Sequence, residues 1–149
     1  MTDGIEARST VPFCVQTGRR WVTQAAVLFA PDAWVQIAHY PEWSGQDTIH
    51  RGLQQTFAGS GFLHQRCDIG LIDVAGDRAN ARLSIFEAHR LKEEADLSLV
   101  FGIYEDEYVR LADHWRFQRR RYSMQFRGRT PIAKSEQLAP PALQMLFLT

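Results

Sequence analysis

Residues 97–126 read LSLVFGIYEDEYVRLADHWRFQRRRYSMQF, and this stretch organises the rest of the chain. Two runs rich in β-branched and aromatic residues flank a short polar break at Ala112, Asp113 and His114. Val100, Phe101, Ile103, Tyr104, Tyr108 and Val109 stand before the break; Trp115, Phe117, Tyr122, Met124 and Phe126 stand after it. Such residues favour a pleated surface, and a short polar break between two such runs predicts a tight hairpin. Each arm exceeds the usual strand of about five or six residues, which predicts a strongly curved sheet wrapped around a ligand pocket.

Working back from the hairpin, Arg78–Leu91 predicts a strand with Ala79, Ala81, Leu83 and Ile85 on one face and Asn80, Arg82, Ser84 and Phe86 on the other. Ala75-Gly76-Asp77 predicts a turn, and Leu63–Val74 a strand before it; Glu93–Asp96 is a polar turn. Upstream the period changes. Trp21, Ala25, Ala26, Leu28 and Phe29 recur at helical spacing, predicting a helix over Arg20–Phe29 that Pro31-Asp32 ends. Trp34–Ile37 predicts a short strand and Pro41–Gly45 a loop. Asp47 is the expected N-cap of a helix to about Phe57, with Ile49, Leu53 and Phe57 on one face. Thr17-Gly18 predicts a turn, and Pro12 stands where an earlier helix would need an unbroken interior. Helices followed by a four-stranded antiparallel meander give an α+β fold: a cone with N-terminal helices packed on one face of a long, curved, mainly antiparallel sheet that encloses a pocket. The expected organisation is a single domain over 1–149, with a tail from about residue 128 that ends apolar in Leu143, Met145, Leu146, Phe147 and Leu148. The stretch Leu138–Phe147 is expected to cover a pocket mouth.

Composition narrows the function classes. Seventeen basic residues balance seventeen acidic ones, so the chain lacks the basic surplus that binding to nucleic acid phosphates needs. Arg119, Arg120, Arg121, Arg127 and Arg129 cluster, but strand alternation splits such a run between two faces. No apolar run is long enough for a bilayer, and the opening residues lead us to expect no signal peptide. Cys14 and Cys67 follow no metal or redox spacing; free thiols suit a cytoplasmic protein. Leu71, Phe101, Trp115 and Phe117 are expected to leave one sheet face partly apolar, which predicts a homo-oligomer.

Several segments carry a family resemblance. GIYEDEYVRLADHWRFQRRR resembles the closing hairpin of the SnoaL-like branch of the nuclear transport factor 2-like superfamily. LFAPDAWV resembles that branch's second helix and following strand, and His64 followed by DVAGDRANARL resembles its central hairpin. Ala139-Pro140-Pro141-Ala142 resembles the tail of the hexachlorocyclohexane dehydrochlorinase and scytalone dehydratase group. The likeness runs from about Phe13 to Ala142. It implies the cone fold, assembly as a dimer or trimer, a small apolar or polycyclic ligand, and no metal or organic cofactor.

The resemblance also implies a site. His64 matches the family's general base, and imidazole suits that work because it titrates near neutrality. Gln16 stands where the family pairs that histidine with aspartate; its amide can fix a tautomer but supplies no charge. Val11 replaces a lysine, and Arg120 matches an arginine that helps a leaving group depart. Glu87 continues the Ala79–Ile85 face, where a carboxylate needs a partner: either a bulge or the sheet rim places it in water, or it substitutes for the missing aspartate as partner to His64 or Arg120. Gln16, Trp34, Phe62, Ile85, Gly102, Tyr104, Tyr122 and Met124 are the expected substrate-binding residues. His39, His50, His89 and His114 take no role in this reading. The implied function is a lyase or isomerase that abstracts a proton from a mainly apolar cyclic substrate, with His64 as base. The alternative is a non-catalytic ligand-binding or structural module, or the small subunit of a ring-hydroxylating oxygenase.

Overall fold

The computed structural model describes residues 25–68 and 70–134. The expectations for Val11, Pro12, Cys14, Gln16, the Thr17-Gly18 turn and the apolar tail lie outside the described residues. Seven strands form one curved, open, mixed sheet, crossed by helix α1 (Gln46–Phe57). The strands are β1 (Phe29–Ile37), β2 (Trp43–Ser44), β3 (Ser60–Cys67), β4 (Leu71–Ala75), β5 (Arg78–Leu91), β6 (Asp96–Leu111) and β7 (His114–Pro131). Their order across the sheet is β2-β1-β7-β6-β5-β3, with β4 also on β5.

The hairpin of β6 and β7 forms, with a turn one residue shorter than the expected break, because His114 opens β7. Leu111 pairs with His114, so the turn is Ala112-Asp113, and Ala112 adopts φ +52°. β5 spans the expected residues, and Gly76 at φ +61° turns the chain into it from β4. Ala79, Ala81, Leu83 and Ile85 are buried on the concave face, while Asn80, Arg82 and Ser84 are exposed.

Several expectations change. Leu63–Val74 is not one strand: Asp68 and Gly70 separate β3 from β4, and both pair with β5. A Cβ at Gly70 would overlap the Arg82 carbonyl, so the backbones meet too closely there for a side chain. Among the described residues the helix before Pro31 ends at Ala26, and β1 runs through Pro31. Its register shifts between Phe29 and Trp34, a displacement that accommodates a residue without an N–H. β1 then pairs parallel with β7, so the sheet is mixed and larger than a four-stranded meander. The expected loop Pro41–Gly45 holds the two-residue strand β2, and Gly45, at φ +80°, is the N-cap in place of Asp47, which lies in the first turn. Phe117 is only 5 % exposed, with its ring tilted against those of Phe29 and Tyr108, and Trp115 packs partly buried against the same core, so neither belongs to an outer apolar face.

Helix α1 covers part of the concave face with Ile49 and Leu53, which join the core around Phe29, Val35 and Val100. Gln46 Nε2 donates to the Phe29 carbonyl at 2.6 Å, tying the helix start to β1. Gly52 lets the Trp43 ring lie against the helix, where a Cβ would overlap it. No described helix is long and apolar enough to cross a membrane.

Candidate functional site

Strand parity decides what faces the concavity. In β3, Leu63 and Gln65 are buried whereas His64 is exposed. The orientation expected for His64 is therefore corrected. It pairs with Ala88 on the outer face, and Gln65 points inward from the next position.

The inward residues of β5 continue past Ile85 to Glu87 and His89. Glu87 receives two hydrogen bonds: His89 Nδ1 lies 2.6 Å from Oε1, and Gln65 Nε2 donates to Oε2. Only 17 % of the Glu87 side chain and 15 % of the His89 side chain remain exposed. A carboxylate offers acceptors only, so Nδ1 carries the proton in this pair. In the neutral ring Nε2 then keeps a lone pair, the arrangement of an oriented base. Glu87 has the partners a half-buried carboxylate requires, Gln65 and a histidine, though that histidine is not His64.

These residues line a concavity of about 230 Å³. Val100, Tyr104, Tyr122, Met124 and Arg127 form its other sheet wall; Ile37, Ala38, His39 and Tyr40, with Thr56 and Phe57, close the side toward β1 and α1. Gly102 does not line it but shapes it: a Cβ there would overlap the Tyr122 ring, which leans across the glycine. Burial pushes the Tyr104 phenol above its ordinary range, and Tyr122 up to about 12, with Glu87 adding to the rise and Arg127 opposing it. Both are neutral hydrogen-bond donors at ordinary pH.

Arg120 sits deeper. Its Nε and Nη2 donate to the two Asp106 oxygens at 2.8 and 2.7 Å, and Tyr108 donates to Asp106 Oδ2 at 3.1 Å. The guanidinium lies 4.0 Å from the Tyr104 ring centre and 4.1 Å from that of Phe117. Burial alone would lower the Arg120 pKa, but the charge and hydrogen bonds of Asp106 reverse this and the net shift is upward. Arg120 is thus a clamped cation beneath Tyr104.

The remaining expected positions separate. Trp34 lies outside the concavity: Nε1 donates to Glu42 at 3.0 Å, and Arg119 and Arg121 approach its ring at 5.0 and 5.6 Å. Phe62 pairs with Arg90 and is absent from the lining, and Ile85 is core at 2 % exposure. Tyr104, Tyr122 and Met124 line the concavity. Among the described residues no cluster of His, Cys, Asp and Glu could hold a metal.

A model of the SnoaL-like domain matches residues 9–121. The chain belongs to the SnoaL-like family. Solved structures carry the same fold as this SnoaL-like chain. One is a candidate scytalone dehydratase from Novosphingobium aromaticivorans, with 24% identity, TM-score 0.67, 77% of this chain and 82% of that one covered. Another is the LinA-type3 hexachlorocyclohexane dehydrochlorinase of Novosphingobium barchaimii, with 18% identity, TM-score 0.68 and 82% and 84% covered. A ketosteroid isomerase-like protein from Erwinia carotovora atroseptica follows at 16% identity, TM-score 0.64, with 71% and 83% covered. No curated protein sequence matches the chain. At these identities the likeness speaks for the fold alone.

Proposed function

We propose that this SnoaL-like chain is a lyase or isomerase that removes a proton from carbon, beside a leaving group or a carbonyl, in a small and mainly apolar cyclic molecule. One observation carries the reading: His89 is held by Glu87, itself fixed by Gln65, inside a concavity lined by Tyr104, Tyr122 and Met124. His89 Nε2 takes the proton, Glu87 orients the ring and supports the imidazolium, and the two phenols donate to developing negative charge. The base role first assigned to His64 passes to His89, because the exposed His64 ring leaves the concave face. Lyase and isomerase chemistry also appears in the names of the similar structures.

A binding module without turnover is the second reading. Its support is Arg120, which Asp106 engages with both oxygens and withholds from a leaving group. The same test separates the two: deuterium exchange from solvent into a panel of cyclic ketones and halogenated or hydroxylated rings, read by mass spectrometry. A positioned base contributes roughly 10²–10⁴-fold, so His89→Asn should lose exchange on that scale while His64→Asn keeps it. No exchange with the wild type would remove the enzymatic reading, and exchange that survives in His89→Asn would remove His89 as its base. Homo-oligomerisation through the outer sheet face and a cytoplasmic setting belong to the same proposal.

A further inference from the structure

We propose that the ring taken by this concavity carries a carboxylate, and that Arg127 is the residue that selects it. The inference rests on the reading of the concavity as a substrate site and adds the class of substrate.

The sheet register aligns four residues in one row across the concave face. Gln65 pairs with Glu87, Glu87 with Val100, and Val100 with Arg127. Adjacent strands lie about 4.8 Å apart, so the Glu87 and Arg127 backbones stand roughly 10 Å from each other with Val100 between them. His89 lies in the neighbouring row, opposite Ser98.

Charge distinguishes the two ends of the row. Glu87 is engaged by His89 and Gln65. Arg119, Arg120 and Arg129 on the same strand as Arg127 pair with Glu107, Asp106 and Glu94. Arg127 lines the same concavity and, among the described residues, has no acid within ion-pair distance. An unpaired guanidinium beside an apolar floor is suited to a carboxylate, whose two oxygens match its fork. A carboxylate held there would extend its ring over Val100 toward His89. The space of about 230 Å³ falls below the roughly 300–1,000 Å³ of sites for drug-sized ligands. It therefore favours a molecule of one ring, or two at most, over a polycyclic one.

The test is binding, measured apart from turnover by calorimetry or NMR titration of the full chain. Cyclohexanecarboxylate and benzoate are compared with their carboxamides, which have the same shape and no charge. The wild type should bind the acids at least about tenfold tighter than the amides, a preference that shrinks with salt. Arg127→Gln should abolish the preference by weakening the acids and leave amide affinity unchanged; Arg127→Lys should keep part of it. His89→Asn should keep the whole preference, so failure of the base assignment and failure of this inference read out separately. Acids that bind no better than amides to the wild type, or a preference that persists in Arg127→Gln, would overturn it.

Discussion

Replacing Asp106 by alanine takes away the carboxylate that receives two Arg120 hydrogen bonds, and the Tyr108 hydroxyl loses the same acceptor. The Arg120 and Asp106 side chains are 6 % and 0 % exposed, and a guanidinium cannot discharge itself by losing a proton. The variant therefore takes the Asp106 charge away from a buried cation, which costs about 3–5 kcal/mol. An unsatisfied phenol adds about 1 kcal/mol or more. Domains are typically stable by about 5–15 kcal/mol, so a loss near 4 kcal/mol leaves little margin. With a urea slope of about 2 kcal/mol per molar, the unfolding midpoint should fall by roughly 2 M. Urea titration followed by circular dichroism reads this directly. Asp106→Leu combined with Arg120→Met removes both charges and should recover most of the loss, because an apolar pair fills the same space without desolvated charge. A single-variant loss under about 1 kcal/mol, or a double variant as unstable as the single, would refute the clamped-cation reading.

Gly102→Ala should push the Tyr122 ring into the concavity; overpacking of this kind costs about 1–3 kcal/mol, and ligand binding should weaken more than thermal stability. A variant that binds as tightly as the wild type would show that the ring moves elsewhere. Tyr122, with its pKa up to about 12, and the still higher Tyr104 and Tyr108 are harder to ionise folded than unfolded. Their contribution to stability is present below the ordinary phenol pKa of 10.0 and is lost as pH rises through about 12. Tyrosinate absorbance should then rise together with loss of circular dichroism; full ionisation near pH 10 in a folded protein would contradict it. Leu71, Phe101 and Phe126 are 82 %, 48 % and 57 % exposed on the sheet, so light scattering should return a dimer or trimer; a 17.1 kDa monomer at every concentration would refute this.

What could be read in advance followed local chemistry. The place of the β6–β7 turn, the span of β5 and its inward alanines follow from alternation and turn residues, and the structure keeps them. The parallel pairing of β1 with β7 joins residues some ninety positions apart and leaves no local trace. The His64 error is one of parity: a one-residue offset turns a strand's side chains to the other face, and the shift between Ser60 and Phe62 lies just upstream. His89 was within reach. The alternation that places Glu87 inward on β5 extends two residues further to His89, so the carboxylate two positions before this histidine is the signal that marks it.

The register of β7 has a consequence for how the chain can change length. Its inward residues are Trp115 and Phe117, then Arg120, Tyr122 and Met124, then Arg127 and Arg129, an odd, even and odd series. The switches occur where Gln118 and Gln125 have no partner on β6. Bulges bend a strand, and here they also reset its phase. Losing either glutamine straightens the strand yet keeps every later side chain on its own face. Losing a single residue away from these positions, with both bulges kept, exchanges inside for outside from that point on. Deletion of Gln118 or of Gln125 in β7 should therefore be tolerated better than deletion of a residue away from these two bulges.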